Sequence, residues 1–129
     1  MSEIVLDASA LLAMLQDEKG GNKVASVIST AQMTAVNYAE VVSHFTRLGM
    51  PGADISAMLD PLPIEVVAAD KAVAHIAGEL RAVTAEAGLS LGDRFCLALA
   101  RRDGLPAWTA DKIWKTIADA SQVKVVAIR

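Results

Sequence analysis

Ile4-Val5-Leu6-Asp7-Ala8-Ser9-Ala10-Leu11-Leu12-Ala13 is the stretch that decides the fold. A short apolar run rich in β-branched residues ends at an acid, and a helical pattern begins almost at once. The spacing predicts a strand over Ile4–Leu6, with Ser9 capping a helix that runs from Ala10 through Leu15. Outward from this unit the same alternation repeats. Gly20-Gly21 breaks the first helix, Lys23 to Ser29 reads as a second, and Met33 to Val36 as a second strand. Asn37 stands at an N-cap position, and Tyr38, Val41, Val42, Phe45 and Leu48 follow at helical spacing until Gly49. Pro51-Gly52 opens a short helix near Ala53 to Leu59, and Ile64 to Val67 is a third strand.

Asp70 caps a long helix with a buried stripe of Val73, Ile76, Ala77, Leu80, Val83 and Ala87, ended by Gly88. Ser90 caps another through Asp93 to Ala100, closed by Gly104. Ala107 to Thr109 is a fourth strand, Lys112 to Ile117 a last helix, and Val123 to Ile128 a fifth strand. Strands separated by helices need crossover connections, which produce a parallel sheet covered on both faces. The expected architecture is a three-layer α/β/α sandwich with a central, mostly parallel five-stranded sheet, formed by residues 1–129 as one domain.

Composition narrows the function classes. Of 129 residues, 53% are hydrophobic and 21% charged, which excludes a disordered scaffold. No apolar run reaches the roughly 18 residues a membrane span needs. Met1-Ser2-Glu3 lacks the basic start of a secretory leader, so the expectation is a soluble, cytoplasmic chain. The single cysteine, Cys96, can form neither an internal disulfide nor a thiolate cluster, and two histidines are too few for a zinc centre. The net charge is −3 and aromatics are 4%, which argues against bulk electrostatic binding of nucleic acid and against a base-stacking platform. Nucleic-acid chemistry here requires a local site, with metal ions.

Four carboxylates fall where such a site belongs, beyond the carboxyl ends of parallel strands. Asp7 ends the first strand, Glu40 lies in the first turn of the helix after the second, and Asp111 follows the fourth. Asp93 opens the most apolar helix, among Leu91, Phe95, Leu97 and Leu99. Each has an ordinary reading as a helix cap or first-turn acid. Together they would repel one another unless divalent cations sat among them, and oxygen-only ligands select Mg2+ or Mn2+ over zinc. Such a site activates water against a phosphodiester, which points to a metal-dependent nuclease.

Ser9, Asn37 and Thr109 are positioned to support these acids, and each is equally a cap or a strand residue. His44, one turn after Glu40, lines the cleft or is simply solvated. His75 shares a face with Glu79 and Glu86. Arg94, Arg101 and Arg102 are candidate contacts to RNA phosphate, with a solvated helix face as the ordinary reading of the last two. Cys96 reads as a small core residue. The apolar residues Leu11, Leu12, Met14, Leu15, Val24, Val27 and Ile28 suggest a groove for a partner helix, or ordinary core packing.

The ordered set of motifs resembles a known family. Ile4-Val5-Leu6-Asp7-Ala8-Ser9 resembles the opening motif of PIN-domain ribonucleases, and Asn37-Tyr38-Ala39-Glu40-Val41 their second. Leu89-Ser90-Leu91-Gly92-Asp93-Arg94 is similar to the third, and Trp108-Thr109-Ala110-Asp111 to the fourth. The size is similar to that of VapC toxins of bacterial type II toxin–antitoxin systems. The resemblance implies a Mg2+- or Mn2+-dependent endoribonuclease acting on structured RNA such as tRNA or rRNA. It also implies a VapB-like antitoxin as partner, a homodimer, and Asp7, Glu40, Asp93 and Asp111 as an acidic quartet supported by Ser9, Asn37 and Thr109. The alternatives are a PIN nuclease of general RNA processing and a non-catalytic PIN-like scaffold. A phosphatase with Asp7 as nucleophile is disfavoured, because Ser9 stands where that chemistry places a second acid.

Overall fold

In the computed structural model, which describes residues 1–129, five strands form one sheet in the order β3-β2-β1-β4-β5, and every neighbouring pair is parallel. The strands are β1 (Ile4–Leu6), β2 (Ala31–Thr34), β3 (Glu65–Val67), β4 (Ala107–Thr109) and β5 (Val125–Ala127). β1 is the middle strand and is wholly buried, as a strand covered on both faces must be. Its side chains alternate between two cores. Val5 joins the one built from Val73, Ala77, Leu97, Leu99 and Trp114, while Ile4 and Leu6 join Leu11, Val24, Met33, Val41 and Phe45 on the other face. The expected three layers and five-stranded sheet are therefore present.

One face carries α1 (Ala8–Leu15), α2 (Gly21–Val27), α3 (Ala35–Arg47) and α4 (Gly52–Leu59). The other carries α5 (Lys71–Glu79), α6 (Arg81–Thr84) and α7 (Leu91–Asp103), with α8 (Ala118–Ser121) against α6. Short 3-10 turns occupy Ile28–Thr30 and Lys112–Ile117, the latter where an α-helix was expected. None of the helices is long and apolar enough to cross a membrane.

Several boundaries differ from expectation, each for a local reason. Asp7, not Ser9, caps α1: its Oδ1 accepts from the Ala10 N–H at 2.8 Å. β2 ends at Thr34, whose hydroxyl accepts from the Asn37 N–H at 3.0 Å, so Thr34 is the cap and Asn37 lies inside α3. Glu40 is thereby moved into the second turn. The long helix after Asp70 divides at Leu80. Gly78 weakens it, and the Thr84 hydroxyl donates to the Leu80 carbonyl at 2.9 Å, an i−4 bond that bends helices. The buried stripe shifts with the break: Thr84 is 0% exposed where Val83, expected inside, is 40% exposed.

Of the residues considered for a partner groove, Leu11 and Val24 are core, and Leu12, Met14, Leu15, Val27 and Ile28 pack against that core. Ordinary packing accounts for them.

Candidate active site

The site is built on the ends of β1 and β4. Asp7 leaves β1 into the sheet edge and is 4% exposed. Around its carboxylate the chain gathers donors: Ser9 Oγ reaches Oδ1 and Oδ2 at 2.8 and 2.9 Å, the Ala10 N–H holds Oδ1, and Thr109 Oγ1 donates to Oδ2 at 2.7 Å. Burial still prevails over these bonds. It pushes the Asp7 carboxyl from 3.8 up to about 6, with the Asp93 charge adding the smallest upward push. Desolvation, rather than mutual repulsion, is therefore the main source of strain at this acid.

Ser9 and Thr109 do more than hold Asp7. Thr109 Oγ1 also accepts from the Asp111 N–H at 3.1 Å, and Ser9 Oγ accepts from the Ala110 N–H at 3.0 Å. Two hydroxyls thus pin the β4 exit against the β1 exit. Asp111 uses Oδ1 to cap the following 3-10 turn through the Ile113 N–H at 3.0 Å, and is exposed.

Glu40 is set by Asn37. The Asn37 amide donates to Glu40 Oε1 at 2.8 Å and to the Gly92 carbonyl at 2.9 Å, while its own oxygen accepts from Thr34 Oγ1 at 2.7 Å. Asn37 is buried and links α3 to the start of α7. Glu40 is exposed as a whole residue, yet its carboxyl end lies so close to α7 that a Cβ on Gly92 would fall 2.5 Å from Oε2. Partial burial of that carboxyl raises its pKa above 4.5, the Asn37 bond opposes the rise, and the Asp93 charge adds to it.

Asp93 closes a capping box with Ser90: Ser90 Oγ accepts from the Asp93 N–H at 3.2 Å, and Asp93 Oδ2 accepts from the Ser90 N–H at 2.9 Å. All four acids line one cleft of about 770 Å³, together with Ser9 and, further along α3, Ser43, His44 and Arg47. The expected convergence is present at the level of the cleft. It does not extend to a preformed cage, since no three carboxylate, imidazole or thiol groups are gathered closely enough to hold a metal ion. The donor chemistry nevertheless fits a hard cation. Glu40 Oε2, Asp93 Oδ1 and Asp111 Oδ2 accept no hydrogen bond from the protein, and each carboxylate is anchored through its other oxygen.

Other candidates resolve differently. Arg94 is 8% exposed and reaches the Ala77 carbonyl at 3.3 Å, with its Nε unpaired, so it is no surface contact for phosphate. Arg102 is taken by Asp103 at 2.8 Å, and Arg101 lies exposed in the last turn of α7. His75 pairs with Glu79 on the surface at 3.1 Å, and an exposed i,i+4 pair contributes little. Cys96 is core, and burial followed by the charges of Asp7, Asp93 and Glu40 pushes its thiol well above the usual range. Gly92 and Arg47 are the residues that sequence reasoning missed. Arg47 stood seven residues beyond Glu40, two turns along one helix face, which is a visible signal. Gly92 had only the oddity of glycine inside an apolar helix.

The PIN domain family profile matches residues 4–120, and the chain belongs to the PIN-domain family. A search among curated proteins gives no significant match. Among solved structures, DNA-bound VapBC from Salmonella typhimurium is similar at a TM-score of 0.76 and 16% identity, over 100% of both chains. VapC20 from Mycobacterium tuberculosis, described as a sarcin-ricin loop cleaving toxin, is similar at 0.71 and 18%, over 88% of this chain and 94% of that one. VapBC-5 from Mycobacterium tuberculosis, a member of the VapBC family of toxin–antitoxin systems, is similar at 0.64 and 24%, over 98% and 99%. At these identities the likeness is one of fold.

Proposed function

We propose that this chain is a divalent-metal-dependent endoribonuclease of the VapC toxin type, hydrolysing phosphodiester bonds of structured RNA such as tRNA or rRNA. The observation that carries the reading is the common cleft. Four acids from separate segments meet at the carboxyl edge of a PIN-family sheet, and three of them keep an oxygen free of protein donors.

In this reading Asp7, Glu40, Asp93 and Asp111 hold Mg2+ or Mn2+ through oxygen alone. When bound, such an ion makes water a competent nucleophile at neutral pH and offsets charge on the phosphodiester. The chain's own contribution is to fix the donors. Ser9 and Thr109 orient the Asp7 carboxylate, Asn37 orients Glu40, and the Ser90 backbone orients Asp93. The same acidic cleft suits an arginine from a VapB-like antitoxin, whose planar fork bridges carboxylates.

The test is incubation of the pure protein with total tRNA and rRNA in Mg2+, in Mn2+ and in EDTA. Discrete fragments with either metal and none in EDTA support the reading. Intact RNA in all three, from a folded protein, supports the non-catalytic scaffold instead.

A further inference from the structure

The cleft is not acidic throughout. Glu40, Ser43, His44 and Arg47 recur at helical spacing on α3, so the wall changes character along the helix. Two turns, roughly 10 Å of helix axis, separate Glu40 from Arg47. Arg47 is the single arginine or lysine lining the cleft, and it forms no ion pair with any carboxylate of the chain. A cation left unpaired in a chain of net charge −3 is available to an external anion.

His44 is the side chain beside it. Gln16 Nε2, at the facing helix end, donates to His44 Nε2 at 3.0 Å, and Arg47 Nη2 lies 3.5 Å from His44 Nδ1. An amide nitrogen only donates, so His44 Nε2 is the acceptor and Nδ1 of the neutral ring carries the proton, which leaves the guanidinium beside the ring without a hydrogen bond to it. The His44 ring also packs edge-on to Phe45, a core residue, with centroids 5.2 Å apart. Gln16 and His44 thus join the end of α1 to α3.

Resting on the nuclease reading above, we propose that Arg47, which shares the cleft wall with Ser43 and His44, binds a phosphate of the RNA strand beside the scissile bond. The division of labour follows from charge. The scissile phosphate must approach four acids and needs metal to do so. A flanking phosphate meets a guanidinium that offers paired donors without competition. The site thereby gains binding energy away from the reacting atoms, which lowers KM and leaves the chemical step alone.

The experiment measures cleavage and binding of one single-stranded oligoribonucleotide that wild type cuts. Arg47→Ala is expected to raise KM about tenfold with kcat within twofold, and Arg47→Lys to recover part of the loss. In an Asp93→Asn background, the slope of log affinity against log salt should fall by about 0.7 on adding Arg47→Ala, the value of one phosphate contact on a single strand. Lys23→Ala, on exposed α2, should change neither quantity. The subsite is overturned if Arg47→Ala and Arg47→Glu match wild type in KM and salt slope. It is equally overturned if Arg47→Ala lowers kcat and melting temperature together, as a structural role would. A folded wild type that neither binds nor cuts RNA removes the nuclease reading and the subsite with it.

Discussion

Thr109 Oγ1 donates to Asp7 Oδ2 at 2.7 Å, tying the end of β4 to the end of β1. The same oxygen accepts from the Asp111 N–H, so one buried hydroxyl sets the positions of two of the four acids. Thr109→Val keeps the shape and removes both bonds. It should cost about 1–3 kcal/mol, because the Asp111 N–H loses its partner and buried Asp7 Oδ2 is left with Ser9 Oγ alone. Thr109→Ser should retain most of the stability and activity. Urea unfolding of the two variants checks this, and equal stability of Val and Ser would contradict it.

Asp7 makes the metal-free protein sensitive to pH. Its carboxyl ionises near 3.8 when unfolded and at about 6 when folded, so the folded chain retains a proton that the unfolded chain releases. Its contribution is full below 3.8 and is lost as pH rises through 6. Glu40 acts in the same direction. Asp103 opposes them at lower pH. Arg102 holds its carboxyl below 3.8, and the stability this gives disappears as pH falls through that lowered value. In EDTA, stability should therefore rise from pH 7.5 to about 5 and fall again below 4.

The corresponding variant is Asp7→Asn. A shift from 3.8 to about 6 corresponds to about 3 kcal/mol for a wholly buried group, an order-of-magnitude figure. Asp7→Asn should recover part of that at pH 7.5 and flatten the profile between pH 5 and 7.5. Denaturant unfolding at the two pH values gives the answer, and a variant less stable than wild type at pH 7.5 would contradict it.

Gly92 separates position from stability. The three atoms nearest a Cβ there all belong to the Glu40 carboxyl, the far end of a flexible side chain. Gly92→Ala should leave stability within about 1 kcal/mol, since alanine is the better helix former by 0.5–1 kcal/mol. Activity should nevertheless fall tenfold or more, toward that of Glu40→Gln. An active Gly92→Ala would show that the closeness of Glu40 to α7 is immaterial.

Arg94 is a buried cation with no carboxylate partner, and its Nε is unpaired. Replacing such a charge by an apolar group of similar length is commonly neutral. Arg94→Met should stay within about 1.5 kcal/mol of wild type, whereas Arg94→Ala leaves a cavity and should cost about 2–4 kcal/mol. Thermal unfolding of both distinguishes packing from charge.

Much of this was legible in the sequence, and the exceptions share a cause. β1, β4 and the Ser90 cap could be read because apolar runs and cap residues there are local signals. Thr34 and Asn37 are both good caps by type, and the choice between them depends on where β2 stops pairing with β3, at Thr34 and Val67. Thr84 replaces Val83 in the core because a back-bonded hydroxyl is satisfied inside, which hydrophobic spacing does not register. The acids were legible as a set in chain order. That Ser9 and Thr109 meet at 3.3 Å depends on strand order, and the role of Gly92 depends on how closely α3 approaches α7.

The central claim is that these carboxylates act together, through metal, on RNA. Asp93→Asn tests it most directly, because the amide oxygen can still accept from the Ser90 N–H and keep the cap. The measurement is the cleavage rate of tRNA and rRNA in millimolar Mn2+ by wild type and by Asp93→Asn protein of matched melting temperature. Metal-dependent cleavage by wild type, with loss of at least a hundredfold in the variant, is the predicted result. Undiminished cleavage by well-folded Asp93→Asn would contradict the account.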